Sequence, residues 1–164
     1  MRIANIAQMQ FKVMFVCLGN ICRSPLAKAL FEKHVNDSGL QDLFLIDSAG
    51  TSGNHAGENA DLRTLRNAKE NGLFFDHTAK KFTPEHLKDF DMIVVMDRSN
   101  ERNVKSLSND PADHKKVHLM RKWDHEGYAE DVPDPWYGGH EGFEEVFQIL
   151  SRSTAKLMQE LASD

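Results

Sequence analysis

The sequence predicts a single α/β domain, a three-layer sandwich in which a four-stranded parallel sheet carries helices on both faces. Three observations lead there. Short apolar runs alternate with segments whose apolar residues recur at helical spacing, the pattern of strand–helix–strand units. The 164 residues suit one domain with a core of useful size. No repeat, low-complexity tract or linker divides them.

The elements follow in order. Phe11 to Val16 reads as a first strand. A helix begins near Arg23 to Pro25, with Leu26, Leu30, Phe31 and Val35 at helical spacing, and Pro25 suits its first turn because the missing N–H costs little there. Leu43 to Ile46 is a second strand, ending in Asp47-Ser48-Ala49-Gly50-Thr51. Asp61 to Asn71 carries Leu62, Leu65 and Ala68 on one helical face, and Gly72 is a natural stop. Thr83 to Leu87 resembles a short helix start. Met92 to Met96 is the clearest buried strand, and Val117 to Met120 is a weaker fourth. The last helix places Phe143, Val146, Phe147, Leu150, Leu157 and Leu161 on one face. Parallel sheets bind ligands outside the carboxyl ends of their strands, and Cys17, Ser48 and Asp97 each follow a strand onto that rim.

Composition narrows the function classes. Apolar residues make up 40% and charged residues 27%, as in water-soluble globular domains. A net charge of −5 argues against a general nucleic-acid binder. No apolar run approaches the roughly 18 residues that span a membrane, so no membrane association is expected. Met1 to Lys12 lacks the apolar centre of a secretory signal, and residues 1–11 read as an extension ahead of a domain over residues 12–164. The 2 cysteines exclude a disulfide scaffold and fit a reducing cytoplasm. Without a Cys-x-x-Cys or a close histidine pair, no metal site and no cofactor are expected.

Chemistry concentrates in Cys17-Leu18-Gly19-Asn20-Ile21-Cys22-Arg23-Ser24-Pro25. A thiol ends a strand, a loop turns over it, and a helix starts. The loop N–H groups and the positive helix end make an anion site. Arg23 adds a planar fork suited to phosphate, and the cationic surroundings favour a thiolate nucleophile at Cys17. This combination points to phosphoryl transfer through cysteine. Such a reaction also wants a general acid, and Val132-Pro133-Asp134-Pro135-Trp136-Tyr137 supplies a carboxyl on a loop stiffened by two prolines.

The nine-residue string resembles the phosphate loop of cysteine-based phosphatases. With Gly19, Asn20 and Cys22 so near the N-terminus, it is similar to the low-molecular-weight protein tyrosine phosphatase family. The resemblance implies a strand order of 2-1-3-4 and metal-independent hydrolysis of protein phosphotyrosine through a phosphocysteine. Leu18 to Cys22 and Ser24 would then bind phosphate, and sulfate and vanadate would bind as mimics. Asp134 would protonate the leaving phenolate and then activate water, while Trp136 and Tyr137 would wall the pocket mouth. Ser24 would stabilise the thiolate, and Asn20, Ser24, Ser48 and His77 would form a network shaping the loop. Many family members carry tryptophan where Asn54 stands in the loop 48–58, which loosens the substrate wall. Cys22 reads either as a small buried side chain or as a backup thiol that forms a reversible disulfide with Cys17.

Other activities on this scaffold fit less well. Arsenate reduction needs further cysteines, and none follows Cys22. Protein arginine phosphatases carry threonine where Ile21 stands, and the bulkier Ile21 favours a phenolic substrate. A non-catalytic phosphate-binding or redox-sensing module would be expected to have lost Cys17, Arg23 or Asp134. A monomer is expected, with Trp136 and Tyr137, if exposed, offering a weak self-association surface.

Overall fold

The structure, a computed structural model, describes residues 10–163. Most of the extension expected over residues 1–11 therefore lies outside the described residues, and Phe11 already belongs to the sheet.

Four parallel strands lie in the order β2-β1-β3-β4, where β1 is Phe11–Cys17, β2 Phe44–Gly50, β3 Met92–Val95 and β4 Val117–Leu119. β1 and β3 are the two interior strands, and both are apolar there: Val13, Met14, Phe15 and Val16 of β1 and Ile93, Val94 and Val95 of β3 are all 0% exposed. The side chains of β1 alternate between two cores. Val13 and Phe15 join Leu30 and Phe31 of α1 (Arg23–Asp37) with Val146, Phe147 and Leu150 of the last helix, Gly139–Ala162. Met14 and Val16 face the other side, with Phe82, Leu87, Ile93, Val104 and Val117.

Between them lie α2 (Leu62–Glu70), α3 (Pro84–Asp89), α4 (Arg98–Lys105) and α5 (Pro111–His114), which makes the last helix α6. Each of α2 to α5 begins at a residue whose side chain accepts a backbone N–H: Asp61, Thr83, Asp97 and Asp110 respectively. α1 differs: Cys22 stands at its cap with no side-chain hydrogen bond, and its first turn holds no acidic residue. Its N-terminal N–H groups are left for another anion.

Several boundaries depart from those the sequence predicts: β1 takes in Cys17, and β3 stops at Val95, short of Met96. β2 runs on to Gly50, so Ser48 lies within the strand opposite Phe15 of β1 rather than after it. Polar residues stay in the strand there because β1 continues beside them as a ladder partner. Leu43, 51% exposed, belongs instead to a 3₁₀ turn over Gln41–Leu43. Met120 starts a 3₁₀ turn over Met120–Trp123 rather than ending β4. α4 escaped the periodicity reading because its buried residues are only Asn100 and Val104. Among the described residues no helix is long and apolar enough to cross a membrane.

Burial shifts four histidines in the same direction. Desolvation holds His34, His77, His86 and His118 below the ordinary histidine range. Exposed His140 shifts upward beside Glu70. A histidine with a lowered folded pKa binds fewer protons folded than unfolded, so its stability is present above the unfolded value of about 6.5 and is lost as pH falls below it. The melting temperature is expected to drop between pH 7.5 and pH 5, and the variant His34→Gln with His118→Gln should flatten that drop. An unchanged slope in calorimetry would contradict this account.

Candidate active site

The site lies at the carboxyl end of the central strand, where β1 gives way to the loop over residues 18–22. Gly50 of β2 permits the close approach of that loop. A Cβ there would stand 2.7 Å from the Leu18 carbonyl oxygen and 3.0 Å from Asn20 N. The loop is also strapped from outside: Thr51 N donates to the Cys17 carbonyl at 2.9 Å, Ser52 N to Leu18 at 2.9 Å and Asp61 N to Ile21 at 2.8 Å.

Asn20 is the hub. Its backbone is left-handed, with φ +57°, a conformation asparagine tolerates better than most residues. Its side chain is fully buried and spends all four hydrogen-bonding positions. Nδ2 donates to Ser24 Oγ at 2.8 Å and Ser48 Oγ at 3.0 Å, and Oδ1 accepts from Lys80 N at 3.0 Å and His77 Nε2 at 3.1 Å. His77 Nε2 also reaches the Asn20 carbonyl at 2.7 Å. Because both partners of Nε2 are acceptors, that nitrogen carries the proton. The low histidine pKa, set first by burial, keeps the ring neutral. The Asn20, Ser24, Ser48 and His77 cluster is thus one network in space.

Cys17 is 3% exposed at the floor of the pocket. Its Sγ accepts from Asn20 N at 3.3 Å and lies 3.0 Å from Ser24 Oγ. Since Asn20 already donates to Ser24, the serine proton is free to turn toward sulfur. Arg23 is equally buried at 3%. Its Nη1 donates to Asp97 Oδ2 at 2.8 Å and to the Val132 carbonyl at 3.0 Å, which fixes the plane of the guanidinium. Burial disfavours the charge, but Cys17, Asp97 and Asp134 outweigh it and push the Arg23 pKa upward. Asp97 does double duty, since its Oδ1 caps α4 at Asn100 N, 2.8 Å away.

Asp134 enters from a 3₁₀ turn, Pro135–Tyr137, which it caps through Oδ1 to Trp136 N at 3.0 Å. Its Oδ2 stands 3.9 Å from Arg23 Nη2, and its side chain is 47% exposed, open to an incoming substrate. The base of this loop is pinned by a buried charge cluster. Asp124 accepts from Arg121 Nε at 2.9 Å and Arg152 Nε at 2.7 Å, and Arg121 Nη1 reaches the Asp131 carbonyl at 3.2 Å. Gly127 leaves room for this packing: a Cβ there would fall 1.8 Å from Arg121 Nη2, and the Arg121 side chain would have to shift.

These groups enclose a cavity of about 190 Å³ lined by Cys17, Leu18, Gly19, Ile21, Cys22, Arg23, His55, Asp134 and Trp136. Trp136 is half-exposed at the rim, not in the core. Asn54 is exposed and does not line the cavity; its neighbour His55 does, tilted against Trp136 with ring centroids 6.2 Å apart. The side chain of Tyr137 lies outside what the structure describes. Burial pushes the Cys22 thiol up to about 12. His55, Arg63 and the Arg121–Asp124–Arg152 cluster have no sequence signature. The sequence already places Asp97 on the same strand-end rim as Cys17, and the structure adds its partner, Arg23.

Comparison with known proteins places this geometry among relatives. A family model described as low molecular weight phosphotyrosine protein phosphatase matches residues 12–164. A low molecular weight protein-tyrosine-phosphatase of Streptomyces coelicolor is 41% identical over 92% of this chain and 93% of its own length. A low molecular weight phosphotyrosine protein phosphatase of Schizosaccharomyces pombe is 40% identical over 92% of this chain and 97% of its own. A crystal structure of a protein tyrosine phosphatase from Entamoeba histolytica, with Hepes in the active site, superposes with a TM-score of 0.89 at 34% identity, covering 94% of this chain and 98% of that one.

Proposed function

This chain belongs to the low molecular weight phosphotyrosine protein phosphatase family, and on that premise we propose that it hydrolyses protein phosphotyrosine without a metal, through a phosphocysteine on Cys17. The observation that carries the reading is the convergence on one cavity of a buried thiol, an orientated guanidinium and an open carboxyl. In the first step Cys17 sulfur attacks phosphorus in line with the departing oxygen. The S–P bond forms as the P–O bond breaks, and Asp134 gives its proton to the phenolate. In the second step Asp134, now a carboxylate, takes a proton from water as that water attacks phosphorus. The S–P bond breaks, and thiolate and phosphate are released. The uncapped start of α1, the loop N–H groups and Arg23 stabilise the equatorial oxygens in both steps.

Ile21 supports a phenolic substrate, because it presents an apolar wall where a guanidinium would want hydrogen-bond acceptors. A phosphoserine side chain is shorter than phosphotyrosine and would leave its phosphorus too far from a sulfur on the pocket floor. Tyrosine-phosphorylated proteins are the expected partners, with phosphate, sulfate and vanadate as ligands of the loop. The sulfonate of the Hepes bound in the Entamoeba histolytica relative is an anion of the same kind. The test is a panel of phosphotyrosine, phosphoserine and phosphoarginine peptides with a chelator present. Phosphotyrosine should be hydrolysed fastest, with no loss to the chelator. Preference for phosphoarginine would instead favour an arginine phosphatase on the same scaffold.

Cys22 is the second part of the proposal. An oxidant converts Cys17 to its sulfenic acid, and Cys22 displaces water from it to give a disulfide before a further oxygen can add. The short loop between the two residues and the shared cavity support this. Peroxide-inactivated wild type should recover on treatment with a dithiol, and Cys22→Ser should not. Equal recovery of the two proteins would remove the role.

A further inference from the structure

We infer that Arg63 is a positioning residue for the acid: it holds the Pro135–Tyr137 turn, and through that turn the carboxylate of Asp134, on the leaving-group side of the cavity. The inference rests on Asp134 being the proton donor. The geometry is a chain of four links between the two halves of the site. Asp134 Oδ1 accepts from Trp136 N at 3.0 Å. The carbonyl of the same Trp136 accepts from Arg63 Nη1 at 3.0 Å. Arg63 grips Asp61 with its other edge, Nε to Oδ1 and Nη2 to Oδ2, each at 3.1 Å. Asp61 N donates to the Ile21 carbonyl, in the phosphate loop itself, at 2.8 Å.

An arginine present only to pair with the Asp61 cap would leave Nη1 in water. Here that group crosses 73 residues of sequence to a backbone oxygen on the acid turn. The guanidinium is also stacked by rings on the same side of the site, with Cζ 5.0 Å from the Trp136 centroid and 4.8 Å from that of Phe143. Phe143 in turn packs with Ile21 and Cys22 of the phosphate loop. Arg63 makes no contact that forms or breaks in the reaction. It fixes the peptide that fixes the acid, so the distance from the Asp134 proton to the departing oxygen depends on it.

The test uses Arg63→Met, which keeps the apolar stem, and Arg63→Lys, which keeps the charge but cannot hold Asp61 and the Trp136 carbonyl at once. For each, kcat/KM is measured on aryl phosphates whose leaving phenols range from 4-nitrophenol to phenol, and on phosphotyrosine. A misplaced acid hurts most where the leaving group most needs a proton. Arg63→Met should therefore lose about 10- to 100-fold on phosphotyrosine and much less on 4-nitrophenyl phosphate, with Arg63→Lys failing to rescue. Combined with Asp134→Ala, it should cost nothing further. A loss uniform across the series, the same loss in the Asp134→Ala background, or full rescue by lysine would overturn the inference. Wild-type turnover indifferent to Asp134→Ala would overturn the acid assignment instead, which is a separate result.

Discussion

Cys17→Ser is expected to reduce kcat on phosphotyrosine by on the order of 10⁵-fold, the scale on which a nucleophile is lost from a site that keeps its other parts. The reason is local. A serine hydroxyl gives up its proton far less readily than a thiol, and Ser24 Oγ and Asn20 N are arranged to stabilise a charged sulfur. The exchange is nearly isosteric, and none of the four bonds of the Asn20 side chain involves Sγ, so the loop should keep its shape. The variant should bind vanadate or a phosphotyrosine peptide within a few-fold of wild type while no longer trapping phosphate covalently. Rapid-quench labelling with phosphotyrosine, followed by mass measurement of the intact chain, reads both halves. A Cys17→Ser protein retaining a tenth of wild-type turnover would end the phosphocysteine mechanism.

Asp134→Ala should cost about 10²- to 10⁴-fold in kcat/KM on phosphotyrosine, the range for one positioned acid–base group. The loss should shrink on 4-nitrophenyl phosphate, whose phenolate departs without much help. Stability should fall by only about 1 kcal/mol, because Asp134 is half-exposed and its structural contacts are a cap bond to Trp136 N and a 3.9 Å approach to Arg23 Nη2. Melting temperature and the two substrates together separate a chemical role from a structural one. An equal loss on both substrates would show that Asp134 acts on binding or on the loop rather than on the departing oxygen.

Much of this site was legible because it is written in consecutive residues. Thiol, loop and arginine occupy Cys17 to Arg23, and backbone geometry alone brings them together at a strand end. Asp134 was legible because flanking prolines mark a stiff turn. Strands are legible in the apolar stretches Val13 to Val16 of β1 and Met92 to Val95 of β3, whereas pairing with β1, not hydrophobicity, carries β2 to Gly50. Asn54 and His55 illustrate a different limit. Which of two neighbouring loop residues faces a cavity depends on the course of the loop, and composition does not encode it.

By itself, then, the sequence determined the alternation of strand and helix, the loop at the end of β1 and the stock of thiol, guanidinium and carboxyl, since these follow from local sterics and side-chain chemistry. Only the tertiary structure decided how the charges are aimed. Arg23 is turned by Asp97 and Val132, 74 and 109 residues away, and the acid turn is held by Arg63 across 73. Those contacts exist because helices packed on both faces of one sheet bring distant loops to the same rim. A guanidinium fork there finds its partners through space, with no trace along the chain.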